Sequence, residues 1–394
     1  LLIIISLAAG AAALLATPRE EEPQIVVPLA DVIVMYPGGS AEEVERRVAS
    51  RLERMLYQID GVEYVYSMSR PGMAVVTVRF FVGQDRQASL IKLYNQIFQN
   101  IDQTTPGISG WVVKPIEIDD VPIVNVTLHS ARYDTHALRR VAEEVVSKLQ
   151  HISDSAKITL HGGEKRVLHV YLDPDRLAAV HLSAMEVAGA LKVSNAQAEG
   201  GTLENANRVV RVEAGPFLAN ARELQDILVG VHESRPVYLR DVAEIRDGPE
   251  EPSSYSRIGF GPASGRAATD ADSFPAVTIA LAKKRGSNAV NVARETEALL
   301  EHLKGSVIPD DVQVRITRNY GETANDKVNN LIEGLIMAIV TVIALVTLAM
   351  NWRVGFIVAT AVPITYALTL LMNHLMGYTI NRVTLFALIL TLGL

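Results

Sequence analysis

The sequence predicts an α+β membrane protein, in which α-helical transmembrane segments flank a polar domain of alternating strands and helices. Charge is unevenly distributed along the 394 residues: residues 1–16 carry none, and residues 331–394 carry only Glu333, Arg353 and Arg382. Nearly all of the 44 acidic and 37 basic side chains therefore lie in between. That middle region alternates apolar residues with period 2 and with helical period, which is typical of an α+β fold.

The composition also excludes several classes of site and partner. The chain has no cysteine, which excludes a disulfide scaffold, a thiolate metal site and cysteine catalysis. Its net charge is −7 and it has no long basic run. Because phosphate binding needs clustered Lys and Arg, we expect no nucleic-acid partner.

The first part of the polar region predicts a βαββαβ unit. A strand over Asp31–Tyr36 ends at a Pro-Gly-Gly turn, and the Ser40/Glu43 pair predicts a capping box at the start of the next helix. The remaining elements are strands Val62–Met68 and Met73–Val82, a helix whose apolar face runs from Leu90 to Ile101, and strand Trp111–Glu117. This order is that of a ferredoxin-like unit.

A second unit of the same kind is predicted with an insertion. Its elements are strand Ile123–Leu128, helix His136–Gln150, strand Lys157–His161, strand Ala276–Ala282, helix Asn288–Leu303 and strand Asp311–Arg318. The insertion, about residues 164–273, is itself α+β. Its elements are strand Arg166–Leu172, helix Ser183–Val193, strand Asn207–Glu213, a short helix capped by Asn220, strand Val237–Arg246 and a flexible loop over Gly259–Ser273.

The apolar segments predict membrane helices. Leu331–Met350 and Val354–Leu375 are each long enough to cross a hydrocarbon core of about 30 Å, and only Asn351–Arg353 separates them. Val383–Leu394 predicts the start of a further span. Leu1–Ala16 is interpreted as the end of a span, with a signal peptide as the alternative. On these grounds we expect both ends of the sequence to lie inside a longer protein.

Few residues in this sequence indicate chemistry. Glu333 and His374 lie near the ends of predicted spans, where interfacial positions are more common than coupling roles. The histidines lack metal-ligand spacing, so no metal site is predicted. No nucleophile elbow, phosphate-binding loop or dinucleotide fingerprint occurs. The chain is therefore not predicted to be an enzyme, and no cofactor is expected.

Several short stretches, taken in order, resemble one transporter family. They are Tyr36–Glu45 (YPGGSAEEVE), Ile59–Val62 followed by Ser67–Ser69, Leu239–Ala243 (LRDVA), Gly286–Ala289 (GSNA), Asn351–Arg353 (NWR), Ala361–Pro363, and Thr379–Asn381 with Thr384 and Leu385. In this order the chain resembles the N-terminal portion of a resistance-nodulation-division (RND) efflux transporter, in its hydrophobe and amphiphile branch.

The resemblance implies a layout for the whole chain. Residues 1–16 would end transmembrane helix 1, and residues 331–350, 354–375 and 383–394 would form helices 2, 3 and the start of 4. Residues 17–119 would form the first porter subdomain, and residues 120–163 with 274–330 the second. Residues 164–273 would form an inserted docking subdomain. The large domain would be periplasmic, in a multi-pass protein of the bacterial inner membrane.

The resemblance also implies a mechanism. Such pumps exchange protons for substrate through a pair of Asp residues in the fourth span, expected here just after Leu394, so no relay residue lies within the chain. The positions that match the family's substrate pocket are Leu160, His161, Gly162, Ser253, Ser256 and Tyr320. His161 departs from the pattern, because multidrug members carry an aromatic residue at that position.

The implied partners follow from the same resemblance. They are two further copies of the chain in a homotrimer, a periplasmic adaptor protein, an outer-membrane channel, the lipid bilayer and a small-molecule substrate. The favoured substrates are drugs or other amphiphiles. A heavy-metal or lipid exporter of the same family is an alternative, and a membrane sensor with a periplasmic ligand domain is a weaker one.

Overall fold

The computed structural model describes residues 1–21, 23, 27–103, 105–117, 120–196, 198–205, 208–214, 217–218, 220–261, 264 and 273–393. Up to residue 161 the elements are α1 (Leu2–Ala16), β1 (Leu29–Met35), α2 (Ala41–Val44), a π-helical turn (Glu45–Ala49), α3 (Ser50–Leu56), β2 (Val62–Arg70), β3 (Met73–Phe80), α4 (Arg86–Gln99), a 3₁₀ turn (Ile101–Gln103), β4 (Gly110–Ile116), β5 (Val124–His129), α5 (Thr135–Leu149) and β6 (Ser155–His161).

The elements after residue 161 begin with strand β7 and end with helix α13. They are β7 (Arg166–Leu172), α6 (Pro174–Ala179), α7 (Ala184–Ser194), β8 (Ala198–Asn205), β9 (Arg208–Ala214), α8 (Ala221–Gln225), β10 (Leu228–His232), β11 (Arg235–Tyr238), α9 (Leu239–Val242), β12 (Ala243–Pro249), β13 (Arg257–Gly259), β14 (Ser273–Lys283), α10 (Ala289–Leu303), β15 (Gln313–Asn319), α11 (Tyr320–Ala349), α12 (Trp352–Leu375) and α13 (Arg382–Gly393).

Two compact units make up the chain. Unit 1 contains residues 1–129, 141–161 and 278–394, and unit 2 contains residues 130–140 and 162–277. The two porter subdomains and the docking subdomain drawn from the sequence stay predictions, because the compactness of a unit does not show its role.

The first sheet of unit 1 has the strand order β2-β3-β1-β4, with every neighbouring pair antiparallel. The central strands β1 and β3 alternate buried and partly exposed residues, and Val32, Val76 and Phe80 are on the buried face. Burial of each such side chain contributes about 1.5–3 kcal/mol. The order places the first and third strands in the centre, as expected for a split βαββαβ unit.

One helix of this sheet differs from the prediction in detail. The Ser40 hydroxyl accepts from the Glu43 N–H at 3.3 Å, and the Glu43 carboxylate accepts from the Ser40 N–H at 3.0 Å, which confirms the capping box. The bond from the Ser40 backbone lowers the pKa of Glu43. The helix then contains the π-helical turn Glu45–Ala49, which apolar spacing did not predict.

The second sheet of unit 1 repeats this strand order. Thr278–Lys283 of β14 lies between β6 and β5, and β15 borders β5 on the other side. The β15 strand then continues into α11 without a loop. The Asn319 side chain caps this helix by accepting from the Glu322 N–H at 2.9 Å. The helix therefore begins at Tyr320, eleven residues before the predicted span, and its 30 residues extend about 45 Å.

The apolar helices of unit 1 expose much of their surface. Helices α11 and α12 are the two described helices long and apolar enough to cross a membrane, and α1 has a shorter apolar stretch. Leu348 is 85% exposed and Phe356 69% exposed. Exposed apolar surface of this extent is typical of a face that contacts lipid or another protein segment.

Unit 2 has its own apolar core, with Leu177, Val187, Leu224, Leu239 and Val242 among its buried residues. Its sheets pair β7 with β12, β10 with β11 and β8 with β9. The Arg166 guanidinium bonds the Asp247 carboxylate across the β7–β12 pair. This hydrogen bond holds the pKa of Asp247 below its ordinary value and raises that of Arg166.

Two predicted elements of the insertion need correction. The predicted strand Val237–Arg246 is interrupted by the helical turn α9, because the Asp241 carboxylate caps it by accepting from the Tyr238 N–H at 2.8 Å. Leu239 and Val242 are then both buried, which an alternating strand would not allow. The predicted loop Gly259–Ser273 lies mostly outside the described residues, and its first and last residues belong to β13 and β14.

The close contact between α1 and α12 gives a test of the helix packing in unit 1. A Cβ at Gly10 would lie 2.3 Å from the Ala367 Cβ and 2.4 Å from its Cα, so backbone would have to move. We expect Gly10→Ala to destabilise the protein by roughly 1–3 kcal/mol. Gly334→Ala on α11 is the matched control, since a Cβ there meets nothing within 4 Å. Thermal unfolding in detergent should show a lower midpoint for Gly10→Ala only; equal midpoints would contradict this packing.

Candidate functional site

The residues predicted to bind substrate in unit 1 lie at opposite edges of the second sheet. Leu160 and His161 end β6 and pair with Ile279 and Thr278 of β14. Tyr320 follows β15 at the other edge, three strand spacings or roughly 14 Å away. The Arg318 guanidinium lies 4.1 Å from the centroid of the Tyr320 ring. The structure therefore does not bring Tyr320 together with Leu160 and His161.

The predicted residues in unit 2 form a tighter arrangement. Gly162 has a positive φ of 87°, and a Cβ there would lie 2.4 Å from the Ser256 Cβ. Only glycine fits this position without displacing Ser256. The Arg139 guanidinium donates to the Gly162 carbonyl at 3.1 Å. Ser253, three residues before Ser256, is exposed. Gly162 and Ser256 are thus neighbours, while a substrate role for any of these residues stays a prediction.

A cavity of about 450 Å³ opens on the first sheet of unit 1, between α3 and α4. Its floor is apolar and includes Val32, Val34, Val48 and Ile97, all buried, together with the half-buried Trp111. This volume is in the range of small-molecule sites. The floor suits an apolar ligand surface.

The rim of this cavity carries three guanidinium groups. Arg47 in the π-helical turn and Arg51 and Arg54 on α3 are all exposed and line the cavity. Arg47 donates to the Tyr36 hydroxyl at 3.3 Å, and Arg54 donates to the Ser50 carbonyl at 3.1 Å. Over the described ranges, none of the three forms an ion pair. Their spacing of four and three residues on one helical face was the sequence signal that the prediction missed.

A second cavity, of about 680 Å³, lies among α11, α12 and α13. One wall is polar although the helices are apolar: Thr365, Thr369 and Asn373 recur every four residues on α12 and so share a face. The Tyr366 hydroxyl donates to the Leu388 carbonyl of α13 at 2.8 Å. Polar side chains at membrane depth are costly, and they mark ion or substrate pathways when they face a cavity. The four-residue spacing was visible in the sequence, but the prediction did not use it.

The junction segment, Thr17–Glu21, ties the membrane helices to the second sheet. The Lys283 ammonium lies 2.5 Å from a Glu20 carboxylate oxygen, and their side chains are only 8% and 4% exposed. Glu20 N–H also donates to the Ile380 carbonyl before α13 at 3.0 Å. Buried charges of opposite sign hold their geometry firmly, because separating them leaves an uncompensated charge.

Further contacts of the junction segment reach α11 and α12. The Arg19 guanidinium donates to the side-chain oxygens of Asn325 and Asn329 at 2.9 and 3.1 Å. Glu21 pairs with Lys327, also on α11. The buried Thr17 hydroxyl lies 3.1 Å from Nδ1 of His374 at the end of α12. His374, interpreted from sequence as an interfacial residue, is thus bonded within the bundle, whereas Glu333 is exposed.

Metal ions are bound in proteins by groups of His, Cys, Asp and Glu side chains. Among the residues that the structure describes, no group of three or more His, Asp or Glu side chains is placed to hold an ion. The arrangement instead offers an amphiphilic cavity, a polar-walled cavity among apolar helices, and a rigid connection between helices and sheet. The two cavities suit the binding of small ligands.

The buried Glu20–Lys283 pair gives a second test. We expect Lys283→Met to destabilise the protein by about 3–5 kcal/mol, because it leaves the Glu20 charge buried and unpaired. Glu20→Gln combined with Lys283→Met should recover most of that loss. Lys304→Met, in the exposed Lys304–Glu301 pair, is the control and should change stability by less than about 1 kcal/mol. Chemical denaturation that gives equal losses for the two lysine variants would show that the pair does not hold the junction.

Comparison with protein families agrees with this arrangement. A model of the AcrB/AcrD/AcrF family, which comprises RND permeases, matches residues 1–394, the whole sequence given. The members of this family are transporters rather than enzymes. The match agrees with the family resemblance found in the sequence motifs. The chain therefore belongs to the AcrB/AcrD/AcrF family of RND permeases.

Proposed function

We propose that this chain serves in a proton-driven exporter of drugs or other amphiphilic small molecules in the bacterial inner membrane. The exporter would act as a homotrimer with a periplasmic adaptor and an outer-membrane channel, and its large polar domain would be periplasmic. The observation that carries the proposal is the loop-free passage of β15 into α11. A strand that continues directly into a long helix transmits helix movement to its sheet.

Proton drive accounts for the polar wall of the membrane cavity. The Thr365 and Thr369 hydroxyls donate to carbonyls one turn earlier on α12, so their oxygens remain as acceptors for water or a protonated carboxyl group. The Asn373 amide can both donate and accept. The Tyr366 bond to α13 links that wall to the helix expected to carry the Asp pair. In this proposal, protonation shifts α13 against α12, and the junction segment passes the shift to the second sheet.

Amphiphile export accounts for the cavity on the first sheet. Its apolar floor and cationic rim together match a ligand with an apolar body and a polar or anionic head. The residues Leu160, His161, Gly162, Ser253, Ser256 and Tyr320 stay proposed contacts for substrate on the second porter subdomain. In this proposal the substrate contacts the cavity on the first sheet and the second porter subdomain in successive steps.

Proton-coupled export is tested in proteoliposomes that contain the full-length permease. An imposed pH gradient should drive uptake of a fluorescent amphiphile, and a protonophore should stop it. Thr369→Val with Asn373→Leu should slow uptake about tenfold, corresponding to about 1.4 kcal/mol in the barrier. Thr341→Val is the matched control, because this exposed hydroxyl bonds its own helix as that of Thr369 does, but Thr341 does not line the cavity. Uptake that needs no gradient, or equal slowing by the control, would contradict the proposal.

The head-group preference of the first cavity has its own test. The chain contains two tryptophans, so Trp352→Phe leaves Trp111 as a fluorophore within the cavity. Laurate should change its fluorescence saturably, and dodecylamine, with the same chain length, should bind at least about tenfold more weakly because of the arginine rim. Arg51→Gln should remove this preference, whereas Arg46→Gln, whose side chain pairs with Glu42, should keep it. Equal binding of the two amphiphiles would rule out selection by the arginines.

A further inference from the structure

Two histidines far apart in sequence lie side by side in unit 2. The rings of His181 and His232 have centroids 5.4 Å apart and planes inclined by 52°. The inclination shows that the rings do not stack. His169 and Tyr171 in the same unit do stack, with planes inclined by 15°. The His181–His232 geometry therefore needs another explanation.

We propose that His181 and His232 bind one divalent transition-metal ion, of the nitrogen-preferring class that includes Zn²⁺. Zinc binds a histidine nitrogen at about 2.0–2.1 Å, which places the ion about 3.2 Å from the ring centroid. Two rings on one tetrahedral ion then have centroids about 5.2 Å apart. The observed centroid separation of 5.4 Å is close to this value.

The fold holds His181 in place through an unusual backbone conformation. His181 follows α6 with a positive φ of 53°, a conformation that His adopts more often than most residues. Its N–H donates to the Ala178 carbonyl at 3.2 Å, and the Leu182 N–H donates to the Leu177 carbonyl at 3.0 Å. These bonds close the end of α6 as a helix C-cap. The direction of the His181 side chain is thus set by a fixed turn.

The second histidine is held by a tight hairpin. His232 ends β10 and pairs with Arg235 of β11, and the turn residues Glu233 and Ser234 have φ of 48° and 64°. Two successive positive φ values are those of a type I′ turn, the usual two-residue hairpin turn. His232 therefore occupies a rigid position at the end of a ladder.

A close contact brings the two segments together. A Cβ at Gly230 would lie 2.7 Å from Cδ2 of Leu182, so the Leu182 side chain packs closely on β10. Leu182 directly follows His181, and Gly230 lies two residues before His232 on the same face of the strand. The site is thus preorganised by packing that involves neither histidine.

Both rings are available to a ligand. His181 is exposed and His232 is half-buried. In the part of the chain that the structure describes, neither ring makes a hydrogen bond. By contrast, Nε2 of His169 lies 2.7 Å from the Pro249 carbonyl oxygen. With two protein ligands, the remaining coordination positions would be filled by water, as in open zinc sites.

The test is Zn²⁺ titration of the purified full chain in detergent, followed by calorimetry. One Zn²⁺ should bind saturably to the wild type. His181→Asn and His232→Gln should each weaken binding at least tenfold, and the double variant should be little worse than either, because both ligands act on one ion. Asn is chosen at position 181 because it tolerates positive φ. His169→Ala is the matched control and should keep wild-type affinity.

Two further measurements separate loss of a ligand from loss of the fold. The variants should retain the metal-free unfolding midpoint of the wild type, and X-ray absorption of the bound zinc should show two imidazole nitrogens in the wild type. A wild type without saturable binding, or a double variant that binds as the wild type does, would overturn the proposal. Zinc with no imidazole neighbours would overturn it equally. These outcomes are independent of export, so they leave the proposed transport function untouched.

Discussion

The buried ion pair between Glu20 and Lys283 is the interaction on which the rest of unit 1 depends. It sits where the chain leaves α1, at the end of the inner strand β14 of the second sheet, and beside the segment that leads into α13. A charge buried at this position is stable only if its partner stays in contact. The pair therefore requires the membrane helices and the second sheet to keep a fixed geometry, or to move together.

The same requirement explains several other features of this unit. Arg19 and Glu21 fasten the junction segment to α11, which is itself continuous with β15. Gly10 allows α1 to contact α12 closely enough for Thr17 to reach His374. The polar wall of α12 and the Tyr366 bond to α13 lie within the bundle that this junction holds. A change of protonation in the bundle therefore has a short, stiff path to the sheet, which is what a coupled transporter needs.

Much of the fold could be predicted from sequence, and the reasons for the failures are physical. Strands β1 and β3 and helix α10 have clear periodicity, because each buries one face. Helix α12 was predicted from its length and apolar composition. Helix α4 forms where it was predicted, but Ile91, Phe98 and Ile101 of its predicted apolar face are exposed. The α9 turn was missed because the buried residues Leu239 and Val242 owe their positions to a cap from Asp241, which alternation does not reveal. The Arg19, Glu20 and Glu21 side chains gave no local signal, since their partners lie hundreds of residues away. The histidine pair was missed for the same reason: only the turn after α6 and the β10–β11 hairpin bring the two residues together.

The central claim, that the junction couples the membrane bundle to the second sheet, is tested by distance measurement in the full-length permease. After replacement of any cysteine in the rest of the permease, cysteines for spin labels are introduced at Glu301 and Val383, which are both exposed; the given sequence itself has none. Double electron–electron resonance across a pH range should show two label distances whose populations change with pH. In the Glu20→Gln, Lys283→Met double variant, which is expected to keep the fold, that change should be lost or strongly reduced. A distance distribution that is independent of pH, or one that responds equally in the variant, would contradict the account.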